Sequence, residues 1–423
     1  MKGFGVGIVA PFVAVLMFSG DALCMDRATQ EVREEVRTMK DQVNTMQNRI
    51  DKLEQELEEK DQEISQIKEE ETKAKGSLLD KVRDRLSLSG DVRLRYEYTD
   101  NQDELDGRHR EVLRGRFNAA YRVTDALTAG MRLATGSADD PNTEDVTAGS
   151  FVNDFDVNLT RLYLNLKHRD LFLTGGKFEN PFVATELVWD GDVNPLGAAG
   201  SYTFSQLKPV TPRLTLIYSV VDEQSAGPDS DMLGGQASVK IATPAPWSVT
   251  LAGAYYDYHI SSLTNADSGD IGSNNLNATR TDYLSDFDLF DAVALVEYRG
   301  FGERYPVQLV GDYVKNYGAE VDEDQGYSLD LFVGRVARRG DYRFRYGYSV
   351  AETDAVLAAF SHDNTTFPTN YRQHTLSADY VIRDNTFLNL TWYLYRRDEL
   401  GTTPATDSDD YASRLRVNVV LAF

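Results

Sequence analysis

From about residue 87 to the carboxyl terminus, apolar and polar side chains alternate with a period of two. In the first such segment Val92, Leu94 and Tyr96 share one face, and Arg93 and Arg95 lie on the other. Successive side chains of a β-strand point to opposite faces, so each segment predicts a strand with one apolar and one polar face. After the first 25 residues, no apolar run approaches the ~20 residues that a transmembrane helix needs. Because soluble sheets also alternate, the connections between strands must decide the class.

Those connections alternate between short and long. Turn-forming residues mark seven short ones, near 124–125, 169–170, 209–212, 244–246, 300–303, 340 and 384–385. Eight long ones lie near 100–109, 137–155, 178–197, 223–231, 260–285, 318–325, 353–369 and 398–409. An even number of antiparallel strands with short periplasmic turns and long external loops is typical of bacterial outer-membrane barrels. The sequence therefore predicts an all-β transmembrane barrel of about sixteen antiparallel strands over residues 87–423, with both of its ends on the periplasmic side.

The last predicted strand supports this class independently. Its apolar face carries Leu415, Val417, Val419, Leu421 and the terminal Phe423. A terminal Phe on such a stripe is similar to the signal that the outer-membrane barrel assembly machinery reads, which makes that machinery an expected partner through Phe423. The final strand must pair with the first, because an open sheet edge is not tolerated in lipid.

The first 24 residues have the features of a secretory signal peptide. Lys2 is followed by an apolar run from Phe4 to Phe18, and small residues at Gly20 and Ala22 permit cleavage nearby. Export excludes cytoplasmic functions. Cys24 leaves lipidation as an alternative, but a lipid-attachment site has a small residue where this chain has Leu23. Cys24 is the only cysteine, so neither a disulfide nor a cysteine metal site is expected.

Residues 25–70 show a different period, because their apolar residues recur in steps of four and three. The seam consists of Val32, Val36, Met39, Val43, Met46, Ile50, Leu53, Leu57, Ile64 and Ile67, and Lys60 alone interrupts it. This heptad pattern predicts a periplasmic coiled coil that joins copies of the chain, and its core residues suit either dimers or trimers. The alternative is a helix packed on the barrel, although globular helices usually bury a wider stripe. Residues 71–86 lose the seam, which predicts a linker.

Charge and side-chain chemistry exclude several classes of function. The net charge is −23, with 67 acidic against 44 basic residues, so no nucleic-acid partner is expected. The five histidines show no metal-like spacing with one another or with carboxylates, and no nucleophile with a neighbouring base is evident. The sequence therefore predicts no catalytic residues, no metal and no cofactor.

Four segments and the coiled coil resemble the putative porins of Gram-negative bacteria. These segments are Gly90–Tyr96, Leu127–Gly136, Gly176–Phe182 and Trp189–Pro195, of which the last is the most specific. The resemblance spans most of the mature chain. It implies passive diffusion of small hydrophilic solutes or ions through the outer membrane, often by a trimer. It also implies that the third long loop, 178–197, folds inward and narrows the pore.

The face of each strand on which a residue lies then predicts which charged side chains line the lumen. Eight arginines, here called the arginine wall, lie opposite the apolar stripe on strands that become neighbours when the barrel closes: Arg93, Arg95, Arg114, Arg116, Arg132, Arg161, Arg414 and Arg416. The constriction loop carries the acids Glu179, Glu186, Asp190 and Asp192. Opposed rows of charge across a narrow mouth would orient polar solutes. In the alternative interpretation the arginines form structural ion pairs with Asp91, Glu97 and Glu111.

Three functions therefore remain to be distinguished. The first is a general diffusion channel in the outer membrane, with a trimer favoured by the resemblance. The second is an anion-selective or phosphate-type channel, because the arginine wall is basic. The third is a structural tether, in which the coiled coil would fasten the outer membrane to peptidoglycan or to periplasmic proteins.

Overall fold

The structure is a computed structural model that describes residues 25–100, 107–152, 154–243, 246–262, 270–398 and 411–423. Side chains are described throughout these ranges except at 25–31 and 69–81. The predicted signal peptide and Cys24 lie outside the described residues. The chain divides into two units, Met1–Val82 and Arg83–Phe423, which are taken in turn.

The first unit contains one helix, α1, Met25–Arg83. Its ten seam residues from Val32 to Ile67 are 47–65% exposed, so the stripe has no partner within the chain's described residues. The helix extends over residues 71–83, where the sequence suggested a linker. The Lys, Glu and Ala residues here favour a helix, so losing the seam does not end it. No helix in the described part of the chain is long and apolar enough to cross a membrane.

The second unit is a closed antiparallel barrel of sixteen strands. They are β1 Leu86–Asp100, β2 Arg108–Arg122, β3 Leu127–Thr135, β4 Val157–His168, β5 Leu171–Lys177, β6 Leu196–Thr203, β7 Val210–Asp222, β8 Ser230–Ala242, β9 Trp247–His259, β10 Phe287–Tyr298, β11 Val307–Asn316, β12 Gln325–Gly334, β13 Tyr342–Ala351, β14 Tyr371–Arg383, β15 Thr386–Arg397 and β16 Ala412–Ala422. Val146–Thr147 adds a short stretch that pairs with β2 beyond the end of β3. The predicted fold class and strand number are confirmed.

The barrel closes between its first and last strands. β1 and β16 pair from Asp91 with Ala422 to Asp100 with Ser413. At the end of this seam the Phe423 amide donates to the Gly90 carbonyl (3.0 Å), and the Gly90 amide donates to the Phe423 carbonyl (2.9 Å). Closure leaves no strand edge unpaired, which a sheet surrounded by lipid requires.

The two faces of the barrel differ in chemistry as the alternation predicts. Large apolar side chains, such as Leu94, Leu216 and Leu329, are exposed on the outer face. The lumen face carries buried polar residues, including Glu97, Gln236 and Asp312. This arrangement places the polar groups of the strands inside the barrel, where the functional site must lie.

Two long connections fold into the lumen and share one apolar core. They are the constriction loop, 178–195 between β5 and β6, and a second inward loop, 352–370 between β13 and β14. The Trp189 ring lies 5.5 Å from Phe360 and 6.3 Å from Tyr256 on β9. The Asp190 amide donates to the Phe360 carbonyl at 2.8 Å. The buried cluster packs against β6–β11, β13 and β14, and it includes none of the wall arginines.

Candidate functional site

The arginine wall is a continuous surface on five adjacent strands. β16, β1, β2, β3 and β4 are neighbours in the closed sheet, and they carry the eight predicted arginines. None of these side chains is more than 16% exposed. Guanidinium groups buried to this degree need hydrogen-bonding partners, because desolvating an unpaired charge is costly.

The first partners come from residues 136–145, which follow β3 and are here called the inward segment. Asp145 binds both arginines of β1: Arg93, and Arg95 at 2.7 Å. Glu144 pairs with Arg116 and lies 3.7 Å from Arg132. Burial opposes ionisation of Asp145, but Arg95 and Arg93 outweigh it and lower the pKa of this carboxyl. The two acids of this short stretch therefore contact four of the eight wall arginines.

The constriction loop supplies a second set of partners. Glu179 accepts from Arg161 at 2.7 Å, and the Asn194 amide oxygen accepts from the same guanidinium at 2.6 Å. Asp192 pairs with Arg116. The two acids thus contact the arginine wall directly, so on β2 and β4 the charges meet as ion pairs rather than as rows separated by a gap.

The other two acids of the constriction loop point elsewhere. Glu186 accepts from the Asn364 amide at 2.8 Å, which links the two inward loops. Asp190 is 6% exposed and accepts the Asp192 backbone amide at 2.7 Å. Burial, with Glu186 and Asp363 nearby, raises the pKa of Asp190 to about 9. The raised pKa favours the neutral form of this carboxyl, so Asp190 contributes less negative charge to the lumen than an ordinary aspartate.

Acids of the barrel wall itself contact the remaining arginines. Glu97 on β1 has no exposed surface and binds Arg416 at 2.7 Å, with Arg414 at 3.8 Å and Arg110 also in contact. Asp91 accepts from Arg114 at 2.8 Å. These contacts fit the structural ion-pair interpretation. Glu111, the third acid considered, lies exposed on the opposite face of β2.

The second inward loop also reaches the arginine wall, which the sequence did not suggest. Asn364 accepts from Arg414 through its carbonyl oxygen (2.9 Å) and from Arg416 through its side chain (2.8 Å). The inward segment was missed for a related reason. The sequence predicts only a long connection near 137–155, which gives Glu144 and Asp145 no position in the lumen. In the structure, pairing resumes at Val146–Thr147, where the chain returns to the sheet.

The lumen also contains a cavity of about 330 Å³ beside the constriction loop, towards β10–β15. Glu186 and Asn364 line it from the loops, and Arg345 and Asp330, which pair at 2.7 Å, line it from the wall. Among the described residues, no group of three or more His, Cys, Asp or Glu side chains could hold a metal ion. The site is a polar cavity bordered by paired charges.

A closed barrel with an apolar exterior, a charged lumen and inward loops defines an outer-membrane channel of the porin type. The chain belongs to the family described as "Putative porin", whose model matches residues 98–284 and 262–404. Comparison with curated protein sequences gave no match.

Solved porins align with this chain at low sequence identity. OprB of Pseudomonas putida aligns over 83% of this chain and 96% of its own, at 11% identity and a TM-score of 0.55. An anion-selective porin from Comamonas acidovorans aligns over 80% of this chain and 99% of its own, at 13% identity and a TM-score of 0.49. At these identities the likeness concerns the fold alone.

Proposed function

We propose that the protein is a passive diffusion channel for small hydrophilic solutes and ions in the outer membrane. The observation that carries the proposal is the two-sided wall, apolar outside and lined inside by arginines and carboxylates. The apolar core of the inward loops packs on one side of the lumen, and their polar residues reach the arginine wall. Solutes would therefore move past these paired charges and through the 330 Å³ cavity. A membrane channel of this kind needs no cofactor and no catalytic residue.

Single-channel recording in a planar bilayer tests the proposal. Folded, purified protein is expected to give discrete current steps that vary linearly with voltage. The same preparation unfolded by heat is the control and should give none. Folded protein that inserts into the bilayer without conducting would rule out the channel.

A preference for anions is the second candidate function, and the charge balance favours it. The eight wall arginines and Arg110 are nine cations, and their carboxylate partners are the six acids Asp91, Glu97, Glu144, Asp145, Glu179 and Asp192. This cluster therefore carries three more positive than negative charges. The reversal potential in a salt gradient measures the preference, and a cation-selective potential would exclude an anion or phosphate channel.

We further propose that α1 forms a periplasmic coiled coil that holds the channel as a homo-oligomer, with a trimer favoured. β1 begins at the end of the barrel that carries the short turns, which is the periplasmic end in outer-membrane barrels. The exposed, narrow seam of α1 supports self-association, because only partner helices can bury it. Phe423, at the end of the closing strand, is the proposed contact for the assembly machinery.

Sedimentation of the full chain in detergent tests the oligomer. The double variant Ile50→Glu, Leu57→Glu places charges in the seam and should lower the oligomer's association constant at least ~100-fold. Asn48→Glu, Gln55→Glu makes the same charge change on the opposite face of α1 and should leave the mass unchanged. An oligomer that persists in the seam variant would exclude assembly through the coiled coil.

The tether remains a separate proposal, supported by the length of α1. A helix of 59 residues extends roughly 90 Å at ~1.5 Å per residue. Deletion of residues 25–75 should leave conductance intact, and a loosened cell envelope would show that the helix also binds peptidoglycan or a periplasmic protein. An unchanged envelope would exclude the tether.

A further inference from the structure

A second lumen cavity, of about 250 Å³, lies where the start of the constriction loop faces β4, β5 and β7. Its polar lining includes Arg213 on β7, Asn165 on β4, Thr174 on β5 and Asn180 of the loop. The rings of Tyr163, Phe172 and Phe178 provide its apolar lining. This cavity is distinct from the 330 Å³ cavity, with which it shares no lining residue.

Four buried polar atoms of this cavity have no hydrogen-bond partner among the described residues. Two are donors, Arg213 Nε and Asn180 Nδ2, and two can accept, Asn165 Oδ1 and Thr174 Oγ1. Thr174 is only 7% exposed. Buried polar groups are normally paired, so a concentration of such atoms on one cavity indicates a group that the cavity binds.

The charge of the cavity is positive. Arg161 is held by Glu179 and Asn194, as described above, but Arg213 forms no ion pair in the described part of the chain. The Arg213 Nη2 atom donates to Ser201 Oγ at 2.9 Å. This contact fixes the guanidinium without neutralising it. A ligand with one negative charge would supply the missing counterion.

We propose that this cavity is a binding site for a small aromatic monocarboxylate that carries a hydroxyl group. The carboxylate would accept from Arg213, whose planar guanidinium suits paired hydrogen bonds, and from the Asn180 amide. The hydroxyl would donate to Asn165 or Thr174. The three aromatic side chains would contact the ring. This inference rests on the proposed channel function. It adds to that function a solute-binding step inside the lumen.

Current interruption by 4-hydroxybenzoate tests the site on the full chain in a planar bilayer. The probe should block single channels of the unaltered protein, whereas 4-hydroxybenzamide, which lacks the charge, and benzoate, which lacks the hydroxyl, should block less. Arg213→Gln should weaken block by about 10-fold or more, as expected for losing a charge-assisted hydrogen bond. Arg213→Lys retains the charge and should retain part of the block.

Arg343→Gln is the matched control, because it removes a lumen arginine on β13 that pairs with Asp379 at 2.9 Å. It should leave the block unchanged. Equal block of the unaltered protein and Arg213→Gln, or equal block by the carboxylate and the amide, would overturn the site. Thr174→Val, which replaces the hydroxyl with a methyl group of similar size, provides a second variant should Arg213→Gln not fold.

Equilibrium dialysis of the probe against detergent-folded protein separates this inference from the channel itself. Arg213-dependent binding by a protein that does not conduct would overturn the proposed function and leave the site standing. Conduction without Arg213-dependent binding or block would overturn the site and leave the channel standing.

Discussion

At the scale of single residues, the effect of the lumen arginines on ions depends on how each arginine is paired rather than on how many arginines there are. Each arginine of the wall donates to a carboxylate or lies within 4 Å of one, and the acids come from three sources: the strands, the inward segment and the constriction loop. Removing one member of a buried pair leaves the other charge uncompensated. Permeant ions should therefore respond most to the acids that hold two arginines at once.

Asp145→Asn is the sharpest test of this view. The substitution leaves Arg93 and Arg95 without their shared carboxylate, so the lumen gains one positive charge and two less constrained guanidinium groups. We expect the anion-to-cation permeability ratio to rise about 2-fold or more, measured as the reversal potential in a KCl gradient. Asp154→Asn makes the same charge change at an exposed loop residue and should not move the potential. An unchanged potential in Asp145→Asn would contradict the pairing.

Asp190 gives a prediction for pH, because burial raises the pKa of its carboxyl to about 9. The unfolded chain loses this proton near pH 4 and the folded protein retains it, so folding stability should fall as pH rises from about 4 to 9. The loss is at most about 1.4 kcal/mol per pH unit. Asp190→Asn should be less sensitive to pH across this range, measured by thermal unfolding in detergent. Identical pH profiles for the variant and the unaltered protein would show that Asp190 is ionised in the folded state.

At the scale of secondary-structure elements, the strands and their connections could be predicted because their signals are local. Alternation and turn residues lie within about ten positions of one another, and the constriction loop was placed within two residues of its observed bounds. The inward segment and the second inward loop could not be predicted. Their positions depend on contacts such as Asn142 with Ser361, which join residues 219 positions apart and leave no periodic trace in the sequence.

The candidate site, too, could be predicted from the sequence only in part. All eight arginines of the wall could be assigned to the lumen, since sidedness follows from strand parity. Their partners could not, because Glu144 and Asp145 belong to a connection with no period. Arg213 was not singled out either, since it follows two prolines near a turn, where alternation is weak.

The constriction loop depends on one large side chain, Trp189. Its indole nitrogen donates to the Val193 carbonyl at 3.0 Å, and its ring packs between Tyr256 and Phe360. Trp189→Ala should cost ~3–5 kcal/mol of packing within the loop and its neighbours. Because the strand ladders do not involve this residue, the barrel should remain closed while single-channel conductance becomes larger or noisier. Trp247→Ala, at a 49% exposed position, is the control and should conduct normally.

At the scale of the whole molecule, the barrel depends on joining two ends that are far apart in the chain. Gly90 on β1 lies against Phe423, and a Cβ atom at Gly90 would overlap both the Phe423 ring and the Arg116 carbonyl of β2. The closing strand therefore fits only because position 90 has no side chain. Gly253 on β9 is a comparable glycine with open space around its Cα, since a Cβ atom there would meet nothing within 4 Å.

Gly90→Val should consequently destabilise the closed barrel, by about 1–3 kcal/mol for overpacking and by more if the seam opens. The fraction of folded barrel, followed by heat-dependent migration on a gel, should fall for Gly90→Val and remain unchanged for Gly253→Val. Adding Phe423→Ala removes one of the two overlaps but not the one with the Arg116 carbonyl, so it should restore folding only in part. Equal folding of Gly90→Val and Gly253→Val would mean that the closing seam tolerates a side chain, and that the terminal Phe is not packed against β1. Because an unpaired edge is excluded from lipid, a barrel that fails at this seam should also fail to insert and conduct.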